Sequence, residues 1–197
     1  MANDCCFRLK VVVKKDNKEA IERLKKILNY QDQEFCMYRL RSDTDVVGEY
    51  EDGDYFVCDF VGDSAWSCDP LFEYGDKPDV HLKEYAKDEN GRMIEIKDEN
   101  GNFKGYKENE LPPHFTDLCH LAKVLDFGCE LWCDEPGMCF AQHLGCNHNG
   151  ELFIDETGHY EISYPEDENG EPDYGKEPIE DCEFEDFNEF AFTNEIY

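Results

Sequence analysis

Three observations in the chain predict an α+β fold. Residues 5–13 alternate, with Cys5, Phe7, Leu9, Val11 and Val13 on one face and Arg8 and Lys10 on the other, which is the pattern of a half-buried strand. Apolar residues at helical spacing occur twice, first as Ile21, Leu24, Ile27 and Leu28 and later as Leu118, Leu121, Ala122 and Leu125. Short alternating runs broken by Asp-Gly, Asn-Gly and Pro-Gly fill the rest and read as strands joined by turns. Strand, helix, two strands, helix and strand is the order of a ferredoxin-like βαββαβ sandwich. Extra antiparallel strands extend it, so that residues 1–164 form one domain with a hairpin insertion at 75–113, followed by an acidic C-terminal appendage at 165–197.

Each element has its own local reason. The first helix is expected to start at Asp16, with Glu19 completing a capping box, and to carry Glu19 with Arg23 and Glu22 with Lys26 as i,i+4 pairs. Residues 35–40 and 54–61 read as strands, the second with Phe56, Cys58 and Phe60 on one face, and Asp52-Gly53 supplies the turn between them. Asp69 and Pro70 cap and start a short helix that turns Leu71 and Phe72 inward, and Trp66 is expected in the core.

In the insertion, Lys87-Asp88-Glu89-Asn90-Gly91 recurs as Lys97-Asp98-Glu99-Asn100-Gly101, and Asp167-Glu168-Asn169-Gly170 repeats its centre. Asn-Gly favours tight hairpins because both residues tolerate positive φ, so Met93-Ile94-Glu95-Ile96 is expected as a strand between two turns. A calcium loop would need oxygen ligands at alternate positions and a distant bidentate Glu, an order absent here. Gly128 suits the C′ position of the second helix. Cys129, Leu131 and Cys133 then alternate as a strand, Pro136-Gly137 turns the chain, and residues 138–144, 151–155 and 159–164 continue the sheet around Asn149-Gly150 and Thr157-Gly158.

Charge is the main functional signal. The 197 residues hold 48 acidic and 19 basic side chains, a formal net charge of −29. Eight of the basic and four of the acidic ones lie in the first thirty residues, which leaves 11 against 44 in the remainder. Lys14, Lys15, Lys18, Lys25 and Lys26 lack the interleaved aromatics of a nucleic-acid patch and are expected to be solvated or to dock the chain's own acidic parts. The appendage carries 13 acids and one Lys, with Phe184, Phe187, Phe190, Phe192 and Tyr197 threaded through it. Apolar groups so dense would otherwise stay exposed, so the appendage is expected to dock on its own domain.

Other classes are disfavoured. The richness in Tyr and Phe, 11 and 14 residues, argues against a disordered acidic chain. No leader-like apolar segment opens the sequence, and no run nears the ~18 apolar residues of a membrane span, so a soluble, cytoplasmic protein is expected. The eleven cysteines are then expected to be reduced and largely buried. Cys129, Cys133, Cys139, Cys146 and His148 form the one cluster with a metal-like composition, yet they lack tight C-x2-C pairs, and buried thiols are expected there. His114, His120, His143, His148 and His159 are scattered, and neither G-x-S-x-G nor a phosphate loop occurs. No metal, no cofactor and no enzymatic activity are expected.

The segment Phe56–Leu71, FVCDFVGDSAWSCDPL, is similar to the strand and Ala-Trp-Ser-Pro element of the ferredoxin-like domain of plasmid- and phage-borne proteins of the YubB family. Leu131–Ala141, LWCDEPGMCFA, resembles that family's strand, Glu-x-Gly turn and aromatic strand, and Asn3-Asp4-Cys5-Cys6 its Asn-x-Cys start. The resemblance covers residues 1–74 and 112–164 and implies a fold and a mobile-element origin, with no catalytic residue to carry over. Cys68 stands where the family has proline, residues 75–113 interrupt the pattern, and the appendage lies outside it.

A folded protein that displays carboxylates densely can occupy the Lys/Arg cleft with which another protein binds nucleic acid. The expected function is therefore that of an anti-defence protein, anti-CRISPR or anti-restriction, acting in a bacterial cytoplasm. Its partner would be a host nucleic-acid-binding protein, a CRISPR effector or restriction nuclease, with no direct contact to nucleic acid or membrane. The expected contact residues are Asp88, Glu89, Asp98, Glu99, Asp167, Glu168, Glu171, Asp173, Glu180, Asp181, Glu183, Glu185, Asp186 and Glu189. The alternative is a non-catalytic interaction or regulatory module whose acidity serves solubility.

Overall fold

The alternating segment 5–13 lies within one long strand of the computed structural model, β1 (Asp4–Lys14). The structure describes residues 4–41 and 44–190, so Asn3, Phe192 and Tyr197 lie outside the described residues. β1 sits at the middle of a seven-stranded antiparallel sheet. On one side it pairs with β4 (Tyr55–Ala65), which pairs with β3 (Asp45–Asp52). On the other, β9 (Gly128–Glu135), β10 (Phe140–Cys146), β11 (Leu152–Ser163) and β12 (Ile179–Cys182) follow in turn.

This architecture overturns the ferredoxin-like expectation. Strands hold 51% of the residues and helices 16%, and the seven-stranded sheet curls into an antiparallel half-barrel that a small βαββαβ sandwich does not contain. The physical reason is that polar stretches add strands. β3 is exposed along nearly its whole length, and β12 is contributed by the acidic appendage, so neither shows the apolar alternation by which strands are recognised.

Helices α1 (Lys18–Leu28), α2 (Asp69–Glu73) and α3 (Leu118–Leu125) supply the other half of the core. Ile21, Leu24, Ile27 and Leu28, Leu71 and Phe72, and Leu118, Leu121 and Ala122 pack with Cys5, Phe7, Leu9, Val11 and Val13 of β1 in one buried cluster. Burying each such aliphatic or aromatic side chain contributes roughly 1.5–3 kcal/mol. The start of α1 differs from expectation. Asp16 lies in a short 3-10 turn, and no side chain caps the helix. Instead Asn17 Nδ2 donates to the carbonyls of Leu125 and Asp126 at 2.8 and 3.1 Å, tying the start of α1 to the end of α3. α3 ends on Asp126 in the left-handed region at φ 55°, and Gly128 already belongs to β9.

The insertion is a ladder. β5 (Lys77–Tyr85) runs antiparallel to β8 (Glu108–Thr116), which also pairs in parallel with β2 (Phe35–Met37), and the hairpin of β6 (Glu95–Lys97) and β7 (Phe103–Tyr106) forms a separate small sheet. Trp66, expected in the core, is 45% exposed: it follows the last residue of β4 in the left-handed region at φ 74°, which breaks the strand's inward–outward alternation there. Thr157-Gly158 is not a turn either, since β11 runs through it without a break.

Candidate functional site

The three Asp-Glu-Asn-Gly strings and Asn147-His148-Asn149-Gly150 build four copies of one turn. In each, the glycine amide donates to the carbonyl three residues earlier, as Gly91 to Asp88, Gly101 to Asp98, Gly150 to Asn147 and Gly170 to Asp167. Only the glycine has positive φ, at 76–82°, so these are type I turns closed by a left-handed glycine and not the Asn-Gly turns expected. The first side chain of each turn is consumed by the backbone. Asp88 Oδ1 accepts from the amides of Asn90 and Arg92, Asp98 Oδ1 from Asn100 and Asn102, and Asp167 Oδ1 from Asn169 and Glu171, all at 2.8–3.0 Å. The amide bonds from Arg92, Asn102 and Glu171 lead in holding these carboxyls below the usual carboxylate range.

Three of the fourteen expected contact residues are thus turn-formers. Asp173 accepts from the Gly175 amide and pairs with Lys176 at 3.4 Å, and Glu183 Oε2 accepts from the His159 amide at 2.9 Å. Glu89, Glu99, Glu168, Glu171, Glu180, Asp181, Glu185, Asp186 and Glu189 are exposed. Glu180 and Asp181 are brought beside Glu161 by the β11–β12 pairing, where Glu161 stands directly opposite Asp181. The insertion acids belong to the β6–β7 region, a different sheet. The N-terminal cations are met by the chain's own acids. Lys15 and Lys18 reach Glu51 at 3.1 and 2.9 Å, Lys25 reaches Glu22 and Glu49 at 2.6 Å each, and Arg23 reaches Asp32 and Glu34 at 3.2 and 2.7 Å. The expected Glu19–Arg23 and Glu22–Lys26 pairs give way to these partners, which the fold brings closer.

The appendage is seated on the face of the sheet opposite the helices. Trp132 on β9 stacks on His143 of β10, with centroids 3.8 Å apart and planes 8° from parallel, and His143 Nε2 lies 2.6 Å from the buried carboxylate of Glu130. Phe184 and Phe187 meet the indole edge-on at 5.1 and 5.5 Å, and Phe187 also stacks on Tyr160 at 4.7 Å. Trp132 Nε1 donates to the Glu189 carbonyl at 2.5 Å. The Phe190 ring lies 5.0 Å from Lys10 Nζ. Beside this seat an open cleft of about 410 Å³ is lined by Arg8, Asp45, Asp63, Trp132, Asp134 and Asn188, and burial pushes the Asp134 carboxyl up to about 6.

The expected cysteine cluster is divided. Cys129 and Cys146 are buried with sulfurs 3.4 Å apart, Cys139 is exposed, and His148 Nδ1 lies 3.1 Å from Asp126 Oδ1. Cys133 instead joins Cys5 and Cys68, whose three buried sulfurs all lie within 4.8 Å of one another. Hydrogen bonds from Cys133 and then Cys68 hold the Cys5 thiol below its ordinary range, while burial pushes those of Cys68 and Cys133 up. The three residues are remote in sequence, and the only hint was that Cys5 and Cys133 fall on core-facing positions of their strands.

Comparison with known proteins finds no matching family model, no similar curated protein and no similar solved structure. Among the described residues no helix is long and apolar enough to cross a membrane.

Proposed function

We propose that the chain is an acidic, non-catalytic binding protein of phage or mobile-element type that occupies the basic nucleic-acid-binding site of a host CRISPR effector or restriction nuclease in the bacterial cytoplasm. The observation that carries this reading is the Glu161–Asp181 pair, two like charges directly opposite on adjacent strands. Such a placement costs stability that His159, with Nε2 3.8 Å from each carboxylate, offsets only when protonated, and a protein selected only to fold and stay dissolved could relieve it with one neutral side chain. The internal pairing of Lys15, Lys18, Arg23 and Lys25 supports it further, since these cations are held by the chain's own acids while Glu168, Glu180, Asp181 and Glu185 of the appendage are exposed.

The test uses acids that the fold does not consume. Glu89, Glu99, Glu168, Glu180 and Glu185 are replaced together by Gln, and cleavage of DNA by a panel of CRISPR effectors and restriction nucleases is measured against salt concentration. Inhibition by the natural chain that weakens with salt and is lost in the variant supports charge mimicry. Undiminished inhibition by the variant overturns it and favours an interaction module in which acidity serves solubility.

A further inference from the structure

We propose that Cys5, Cys68 and Cys133 form a binding site for one thiophilic d10 metal ion, Zn2+ or Cu+. The three side chains come from three elements that only the tertiary fold brings together: the start of β1, the residue preceding α2, and the far half of β9. All three are essentially inaccessible to solvent, at 0, 0 and 1% exposure, and their sulfurs lie within 4.8 Å of one another. A metal–sulfur bond of about 2.3 Å places thiolates ~4 Å apart around one ion, so small rotamer adjustments close the site.

A second observation points at the same spot. Gln142 on β10 is 3% exposed, and its Oε1 accepts from the Cys68 amide at 3.0 Å and from Cys133 Sγ at 3.5 Å. Its orientation is fixed from behind, where Nε2 donates to Asp69 Oδ1 at 2.7 Å and lies 3.4 Å from Thr157 Oγ1. Burying an amide in a core is costly unless it is bonded, and here it is held so that its oxygen meets the Cys133 sulfur and the Cys68 backbone. Such outer-shell fixing is characteristic of metal centres. Sulfur donors without imidazole select soft d10 ions. Three thiolates suffice for Cu+, and Gln142 Oε1 offers Zn2+ a fourth donor. On binding, each thiol still protonated loses its proton to solvent as the metal–sulfur bond forms, and no electron is transferred.

The other buried sulfurs provide the control. Cys129 and Cys146 lie on the same side of the sheet but are not members of the trio. The reduced, metal-free chain is titrated with Zn2+, and in a separate anaerobic arm with Cu+, against a competing chelator, with stoichiometry read by native mass spectrometry. One equivalent is expected in the natural chain and in Cys129→Ser, with loss of at least tenfold in affinity in Cys5→Ser and in Cys68→Ser. The arm that gives the tighter equivalent identifies the ion. No bound equivalent in either arm, or an equivalent retained in both serine variants, overturns the site. Should the serine variants fail to fold, X-ray absorption at the metal edge of loaded Cys129→Ser decides: three sulfur scatterers at about 2.3 Å support the proposal, and a shell of nitrogen and oxygen overturns it.

Discussion

The indole nitrogen of Trp132 on β9 donates to the backbone carbonyl of Glu189, 57 residues later, at 2.5 Å. This bond and the edge-on contacts of Phe184 and Phe187 fasten the appendage to the sheet. Ending the chain at residue 182 would uncover an otherwise buried indole. The expected outcome is a red shift of Trp132 fluorescence, measured in a Trp66→Phe background so that only one indole emits. Trp132→Phe removes the donor together with the pyrrole ring of a buried indole, which should cost more than the about 0.5–1.5 kcal/mol of the hydrogen bond alone and speed proteolysis after residue 182. Emission and cleavage rates equal to those of the natural chain would show that the seat does not hold the appendage in solution.

Gly158 makes that seat possible. A Cβ built there would lie 2.8 Å from Phe184 Cε2 and 3.0 Å from Cζ, closer than carbon atoms approach without displacement. Gly158→Ala is expected to push Phe184 off Trp132 and to destabilise the protein by about 1–3 kcal/mol, the usual cost of overpacking. In combination with Phe184→Ala, which removes the obstructing ring, the additional cost of the Gly158 substitution should largely disappear. Denaturant unfolding of the single and double variants reads this coupling, and full additivity would exclude the contact as its origin.

How much of this was legible in the sequence varies with the element. β1, α2 and the buried faces of α1 and α3 could be read because burial imposes its period on the residue pattern. β3 and β12 could not. Val46, Val47 and Tyr50 of β3 are 41, 61 and 40% exposed, so the strand exists through its hydrogen bonds to β4 and not through a buried face. Ile179-Glu180-Asp181-Cys182 becomes a strand only because Tyr160–Ser163 offers it an open edge. A fold class inferred from the apolar pattern alone misses these added strands. Of the candidate site, the acids were legible as composition, but which carboxylates are already engaged by backbone amides depended on turn geometry. The Cys5–Cys68–Cys133 trio showed only as core-facing positions of Cys5 and Cys133, since no spacing rule links residues on three separate elements.

Three of the four turns give a pH prediction with a definite sign. Asp88, Asp98 and Asp167 are held below the usual carboxylate range by backbone amides. A depressed folded-state value means that the stabilisation is complete above the ordinary value of about 3.9 and is lost as pH falls through the depressed value. Carboxyl carbon resonances of these three residues should titrate below those of exposed aspartates. Asn147 performs the same bonding with a neutral amide oxygen, accepting from Asn149 and Glu151 at 3.0 and 3.1 Å. Asp98→Asn should therefore preserve the turn and abolish its acid sensitivity, whereas Asp98→Ala should release the Asn100 and Asn102 amides to exchange. Equal exchange in the Asn and Ala variants would refute the side chain's role.

The Glu161–Asp181 pair separates binding from stability. The two residues face each other across β11 and β12, and His159 Nε2 lies 3.8 Å from each carboxylate. Asp181→Lys converts a like-charge pair into an opposite-charge pair, which on adjacent strands contributes roughly 0.2–1 kcal/mol. The variant is expected to unfold at higher denaturant concentration than the natural chain. If the β11–β12 carboxylates engage a basic cleft, the same change should slow association with the nuclease at low salt, and the difference should shrink as salt screens the charges. A gain in stability accompanied by a loss of association is the signature of a destabilising arrangement retained for binding. A gain in stability with association unchanged would mean that the edge acids only keep the sheet from pairing with other chains, and the contact surface would then have to be sought among Glu89, Glu99 and the acids of the 167–171 turn.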